Sequence, residues 1–86
     1  MMDLDQLISE GERVISTAVK HDMTGKMILK GAELETWAMK SVIYAEQNFE
    51  SMYLIQRLND DAKDLKKDGY DKANAILGVL KAVKES

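Results

Sequence analysis

Residues 33–52, ELETWAMKSVIYAEQNFESM, hold the chain's only Trp and its only Phe, and they contain neither Gly nor Pro. At helical spacing Leu34, Ala38, Ser41, Ala45, Asn48 and Met52 form one stripe. Trp37, Tyr44 and Ser51 flank it, and Val42 and Phe49 widen it. A helix apolar over so wide an arc must be covered on more than one side, so the spacing predicts a central helix with the others packed round it. Met39 and Ile43 fall opposite the main stripe. In a bundle of three or four helices they are expected to be partly exposed unless a second subunit or a partner covers them.

The remaining chain supplies the helices to do the covering. Asp3 with Gln6 three positions on reads as a capping box. Leu4, Ile8, Gly11, Ile15 and Ala18 then recur every three or four residues, predicting a helix to about Lys20. Gly11 sits within the buried stripe, where it costs about 1 kcal/mol of helix propensity relative to Ala. Close approach of a neighbouring helix through the Trp37 side chain would offset that cost; simple tolerance of a Gly is the alternative. Residues 20–31, KHDMTGKMILKG, break the pattern with turn residues at His21, Asp22, Thr24 and Gly25 and again at Gly31. Met27, Ile28 and Leu29 between them fit one helical turn, a strand-like stretch or a flap over the core. The segment is locally basic through Lys20, Lys26 and Lys30.

Beyond the central helix, Leu54, Ile55, Leu58, Ala62 and Leu65 continue the helical spacing. Asp60, Asp61, Asp64, Lys66 and Lys67 fall on the wet side. An unbroken helix from about residue 32 to 67 would far exceed the usual 11 to 12 or so residues. Ser51 as an N-cap therefore predicts a break near Glu50 and Ser51. Lys66 and Lys67 complement a helix C-terminus, Gly69 suits a left-handed C′ position, and Asp71 caps a last helix. That helix carries Ala73, Ile76, Leu77, Leu80 and Val83 inward, with Gly78 off the stripe. The expectation is an all-α fold in one domain, residues 1–86: a small antiparallel bundle of three to four helices at about 3–20, 32–49, 52–67 and 71–84.

Composition narrows the class. At 86 residues and 9.7 kDa there is room for one modest core. No apolar run approaches the roughly 18 residues of a membrane span. The acidic amino-terminal stretch lacks the pattern of a signal peptide, and with zero Cys no disulfide framework points to secretion, so a cytoplasmic location is the expectation. A net charge of −3 with interspersed signs disfavours a nucleic-acid surface, which needs clustered Lys and Arg.

Catalytic patterns are incomplete. His21 beside Asp22 would need to reach Ser16 or Ser41 to form a nucleophilic pair. Gly25 and Lys26 lack the first Gly and the closing Ser or Thr of a phosphate loop. Glu46 with Glu50, and Asp60 with Asp64, lie one turn apart but lack the Glu-x-x-His units of a carboxylate-bridged metal pair. Asp64, Asp68 and Asp71 do not match a Ca²⁺ loop. No catalytic residue, metal ligand or cofactor follows from these patterns. Ser41, Asn48 and Tyr44 are polar groups on or beside an apolar stripe. Either Ser41 bonds back to its own helix while Asn48 and Tyr44 pair within the bundle, or the three line a groove with Trp37 and Phe49 that accepts a second chain.

Three blocks carry a resemblance: Leu7, Ile8, Glu10, Gly11 and Glu12; Trp37 with Ser41, Tyr44, Glu46 and Phe49; and Ile76, Leu77, Leu80, Lys81, Ala82, Lys84 and Glu85. In this order they resemble the amino-terminal helical module of prokaryotic abortive-infection proteins of the AbiTii-like group and of phage- or prophage-associated proteins. Those relatives usually follow the Phe with a Gly, where this chain has Glu50, and usually run on into a larger effector region. The resemblance implies a protein-interaction or assembly module without the effector chemistry, and it transfers no catalytic residue.

The expected function is a non-enzymatic interaction module, binding a host or defence protein, associating with itself as a homo-oligomer, or both. Its candidate surface is Met23, Met27, Ile28, Trp37, Met39, Ile43, Tyr44 and Phe49. The alternative is a small-ligand binder, with Trp37 or Tyr44 stacking a base and Lys26 or Lys30 meeting phosphate.

Overall fold

A computed structural model describes residues 3–85. Four helices, α1 (Leu4–Ile15), α2 (Ala32–Asn48), α3 (Met52–Lys63) and α4 (Gly69–Glu85), account for most of it. Two-residue strands β1 (Val19–Lys20) and β2 (Met27–Ile28) form a small antiparallel hairpin between α1 and α2. The helices form a ring in which α1 packs on α2, α2 on α3, α3 on α4 and α4 back on α1; α2 also touches α4 across the diagonal. Short turns join α2 to α3 and α3 to α4, and the pairs Arg13–Glu33 and Glu10–Lys40 run α1 against α2 across the hairpin connection, giving the antiparallel bundle that the spacing predicts.

The helix starts follow their caps. Asp3 Oδ1 accepts from the Gln6 amide at 2.7 Å and the Asp3 amide donates to Gln6 Oε1 at 3.3 Å, completing the capping box of α1. The expected break after α2 is present: Phe49 is extended, and Ser51 Oγ accepts from the Leu54 amide at 3.3 Å to start α3. Because the chain turns there, Asn48 and Met52 are exposed instead of continuing the buried stripe. Asn48 Nδ2 donates to the Tyr44 carbonyl at 3.0 Å, within its own helix.

Three boundaries differ from expectation. Helix α1 ends at Ile15, not Lys20. Ser16 Oγ and Thr17 Oγ1 each donate at 2.6 Å to the carbonyls of Arg13 and Val14. The Thr17 and Ala18 amides reach back only three residues, tightening and ending the helix. Val19 then pairs with Ile28, two β-branched residues across the hairpin, so the open choice at Met27 to Leu29 resolves as a strand. Helix α3 ends at Lys63, with residues 64–67 in a turn closed by hydrogen bonds from the Lys67 and Asp68 amides to the Asp64 carbonyl.

The last difference concerns Gly69. It has no left-handed backbone; among the described residues only Gly25 (φ 70°) and Gly31 (φ 126°) have positive φ. It opens α4, with the Lys72 amide bonding the Asp68 carbonyl at 3.0 Å, so Asp68 and not Asp71 precedes the helix. Glycine is required at 69 because a Cβ there would overlap the Leu29 carbonyl oxygen. The buried Leu29 thereby seals the hairpin end of the core.

The core runs the length of the ring: Leu7 and Val14 from α1, Leu34, Trp37, Ala38, Val42 and Ala45 from α2, Leu58 from α3, and Ala73, Ile76 and Leu80 from α4. Gly78 faces open space in the middle of α4, with nothing within 4 Å of a Cβ. Gly78→Ala should therefore raise the unfolding free energy by about 1 kcal/mol, from helix propensity alone, measured by urea titration.

Candidate functional site

The Trp37 side chain is wholly buried. Its indole lies against Gly11, where a Cβ would fall 2.7 Å from Cε2 and closer still to Cζ2. Its Nε1 donates to the Leu7 carbonyl at 2.8 Å. Absence of a side chain at Gly11 is what lets α1 settle onto the ring. Ion pairs from Arg13 to Glu33 (2.8 Å), Lys40 to Glu10 (3.2 Å), Lys81 to Glu12 (3.5 Å) and Lys84 to Asp5 (2.5 Å) border the same helix. Ion pairs at a wet surface add little stability, so these bear on the orientation of α1 more than on its hold on the bundle. Trp37 therefore belongs to the core and lines no outer surface. It cannot stack a base in this conformation.

The other seven surface residues fall into three groups. Met39 (55% exposed) and Ile43 (43%) stand one turn apart on the outer face of α2. Met23 (91%) is at the hairpin tip, and Ile28 is exposed on β2 beside the half-buried Met27. Tyr44 and Phe49 are half-buried and meet edge to face at 6.2 Å, packed against the core. The fold therefore separates the hairpin set from the α2 set.

Two polar groups of the central stripe, Ser41 and Asn48, bond back to their own helix. Ser41 Oγ, fully buried, donates to the Trp37 carbonyl at 3.0 Å. That bond occupies the hydroxyl that a nucleophilic pairing with His21 would use. His21 is exposed in the hairpin turn, where Nδ1 accepts from the Thr24 amide at 3.4 Å. Backbone bonds between His21 and Lys26 and between Gly25 and His21, both 2.8 Å, close the turn. Ser16, with its hydroxyl on the Arg13 carbonyl, is likewise engaged.

No protein-family model, no curated protein and no solved structure matches the chain.

Two features of the structure differ from what residue polarity and helix boundaries suggest. Asp61, placed on the wet side by its charge, is buried, and its Oδ2 has no hydrogen-bond partner. The signal was present: Leu54, Leu58, Asp61 and Leu65 recur at four, three and four, so the carboxylate interrupts an apolar stripe. Lys72 stands 3.8 Å from Oδ1. Burial raises the Asp61 pKa above 3.8; Lys72 and Arg57 oppose that shift, and Asp60 and Asp64 add to it.

A carboxyl whose native pKa is raised binds protons better folded than unfolded. Its support for the fold is complete below 3.8 and is lost as pH climbs through the higher native value. Asp61→Asn should accordingly gain in stability on the wild type as pH rises from 4 to 7. Thermal melts across that range read the trend, and parallel curves would contradict it.

The second feature is a cleft of about 330 Å³ between the hairpin and the α3–α4 turn, lined in part by Lys26, Lys30, Lys66 and Lys67. Lys66 and Lys67 read in sequence as the end of a helix. They enter the cleft because α3 stops before them.

Among the described residues no helix is long and apolar enough to cross a membrane.

Proposed function

We propose that the chain is a non-enzymatic helical association module, pairing with a second copy of itself or with a host or defence protein through the outer face of α2. The supporting observation is the exposure of Met39 and Ile43 one turn apart, on the helix whose opposite face is already filled by Leu34, Ala38, Val42 and Ala45. Fully covering side chains of this size contributes about 1.5–3 kcal/mol each, and Met adapts its shape to an unlike surface. The exposed Met23 and Ile28 of the hairpin form a separate, smaller contact. The phage- or mobile-element-related part of this role rests on the resemblance to abortive-infection modules.

Light scattering tests self-association. The wild type should exceed 9.7 kDa and rise in mass with concentration. The variant Met39→Lys/Ile43→Lys should stay at monomer mass while melting within about 0.5 kcal/mol of the wild type, as expected of exposed positions. A wild type that remains monomeric up to millimolar concentration removes the homo-oligomer.

A further inference from the structure

We propose that the cleft between the β1–β2 hairpin and the α3–α4 turn binds a small, multiply charged phosphate ligand. Charge that is interspersed along the chain is gathered by the fold. Residues 16–31 and 63–72, which meet at this end of the bundle, carry seven lysines against four aspartates, a net of +3 in a chain of −3. The rest of the molecule is therefore net −6, and the net positive charge lies at one end.

The pairing of the lysines follows the same division. Lys40, Lys72, Lys81 and Lys84 each have a carboxylate within 4 Å. Among the described residues, Lys26, Lys30, Lys66 and Lys67 have none. All four line the same cleft of about 330 Å³, with Asp68 as its single carboxylate. Four lysines lining one cleft against the carboxylate of Asp68, with Asp71 acting on Lys26 from nearby, leave an excess of positive charge that a polyvalent anion would neutralise. Gly69 lines the cleft at the first residue of the 17-residue α4, so the positive end of that helix adds to the field.

The shape selects a compact ligand. A volume of this order lies at the lower end of small-molecule sites, and the lysines converge on one concavity rather than tracking an extended strand. Lysine is a point donor suited to phosphate oxygens arriving from several directions. Met27 and Ile28 give the cleft an apolar side that accommodates the organic part of a phosphate ester.

Calorimetric titration of the full chain at low salt with inorganic tripolyphosphate, ATP and a 12-nucleotide single strand tests the assignment. Saturable one-site binding of tripolyphosphate is expected, weakening when salt is raised from 50 to 200 mM. A tighter ATP isotherm identifies an ester as the better ligand. Lys66→Gln/Lys67→Gln should lose at least tenfold in affinity, as should Lys26→Gln on the other side of the cleft. Lys81→Gln, outside it, and the Met39→Lys/Ile43→Lys variant should bind as the wild type does.

Circular dichroism confirms folding, and Lys26→Gln decides should the double variant not fold. No saturable heat with either small phosphate, equal losses in Lys81→Gln, or binding of the oligonucleotide alone would overturn the proposal.

Discussion

Gly11→Ala is expected to lower the unfolding free energy by about 2 kcal/mol, although alanine is the better helix former by about 1 kcal/mol. The added methyl would fall within 3 Å of Trp37 Cε2 and Cζ2. The indole has little freedom to retreat, because it is wholly buried and its Nε1 is tied to the Leu7 carbonyl. Overpacking of this kind typically costs about 1–3 kcal/mol, a large share of the roughly 4–13 kcal/mol available to a domain of this length. The companion variant Trp37→Phe removes the ring atoms that the methyl meets, at the cost of a cavity and of the Nε1 hydrogen bond to the Leu7 carbonyl. Combined, the two substitutions should destabilise by clearly less than their separate effects added together. Urea titrations of the four proteins measure the coupling; strict additivity would show that the glycine is merely tolerated.

Gly69→Ala should cost more, about 3 kcal/mol or beyond, because the atom in the way is the Leu29 backbone carbonyl oxygen rather than a side chain that can turn aside. Relief requires the hairpin-to-α2 connection to lift from the start of α4, which exposes Leu29 and opens the core beside Leu34. Amide hydrogen exchange should then quicken first in residues 19–34 and in the opening turn of α4. Uniform loss of protection would point instead to global destabilisation without a local seat.

The all-α bundle was legible in the amino-acid sequence because hydrophobic spacing survives in every helix, and because Asp3, Gln6 and Ser51 mark starts with side chains that bond locally. Less was legible wherever the deciding contact is distant in sequence. Gly69 looks like a helix stop by its neighbours and is instead a close-approach site for Leu29, forty residues earlier. The early end of α1 depends on Ser16 and Thr17 bonding backward and on Val19 finding Ile28. The stripe containing Asn48 and Met52 fails because the chain bends at Phe49.

For the candidate surface, Met39 and Ile43 were placed correctly by the helical arc alone, whereas Trp37 was drawn inward by Gly11 and the Leu7 carbonyl. Spacing counts which faces are apolar. It does not say which apolar face another element of the same chain will cover.

The association surface is tested most directly by amide spectra of the isotopically labelled chain, recorded while it is diluted from millimolar to micromolar concentration. Concentration-dependent shifts should centre on Met39, Ile43 and their exposed neighbours Glu46 and Gln47, and should vanish in the Met39→Lys/Ile43→Lys protein. Spectra that do not change across that range, or shifts that leave α2 untouched, would contradict self-association through its outer face.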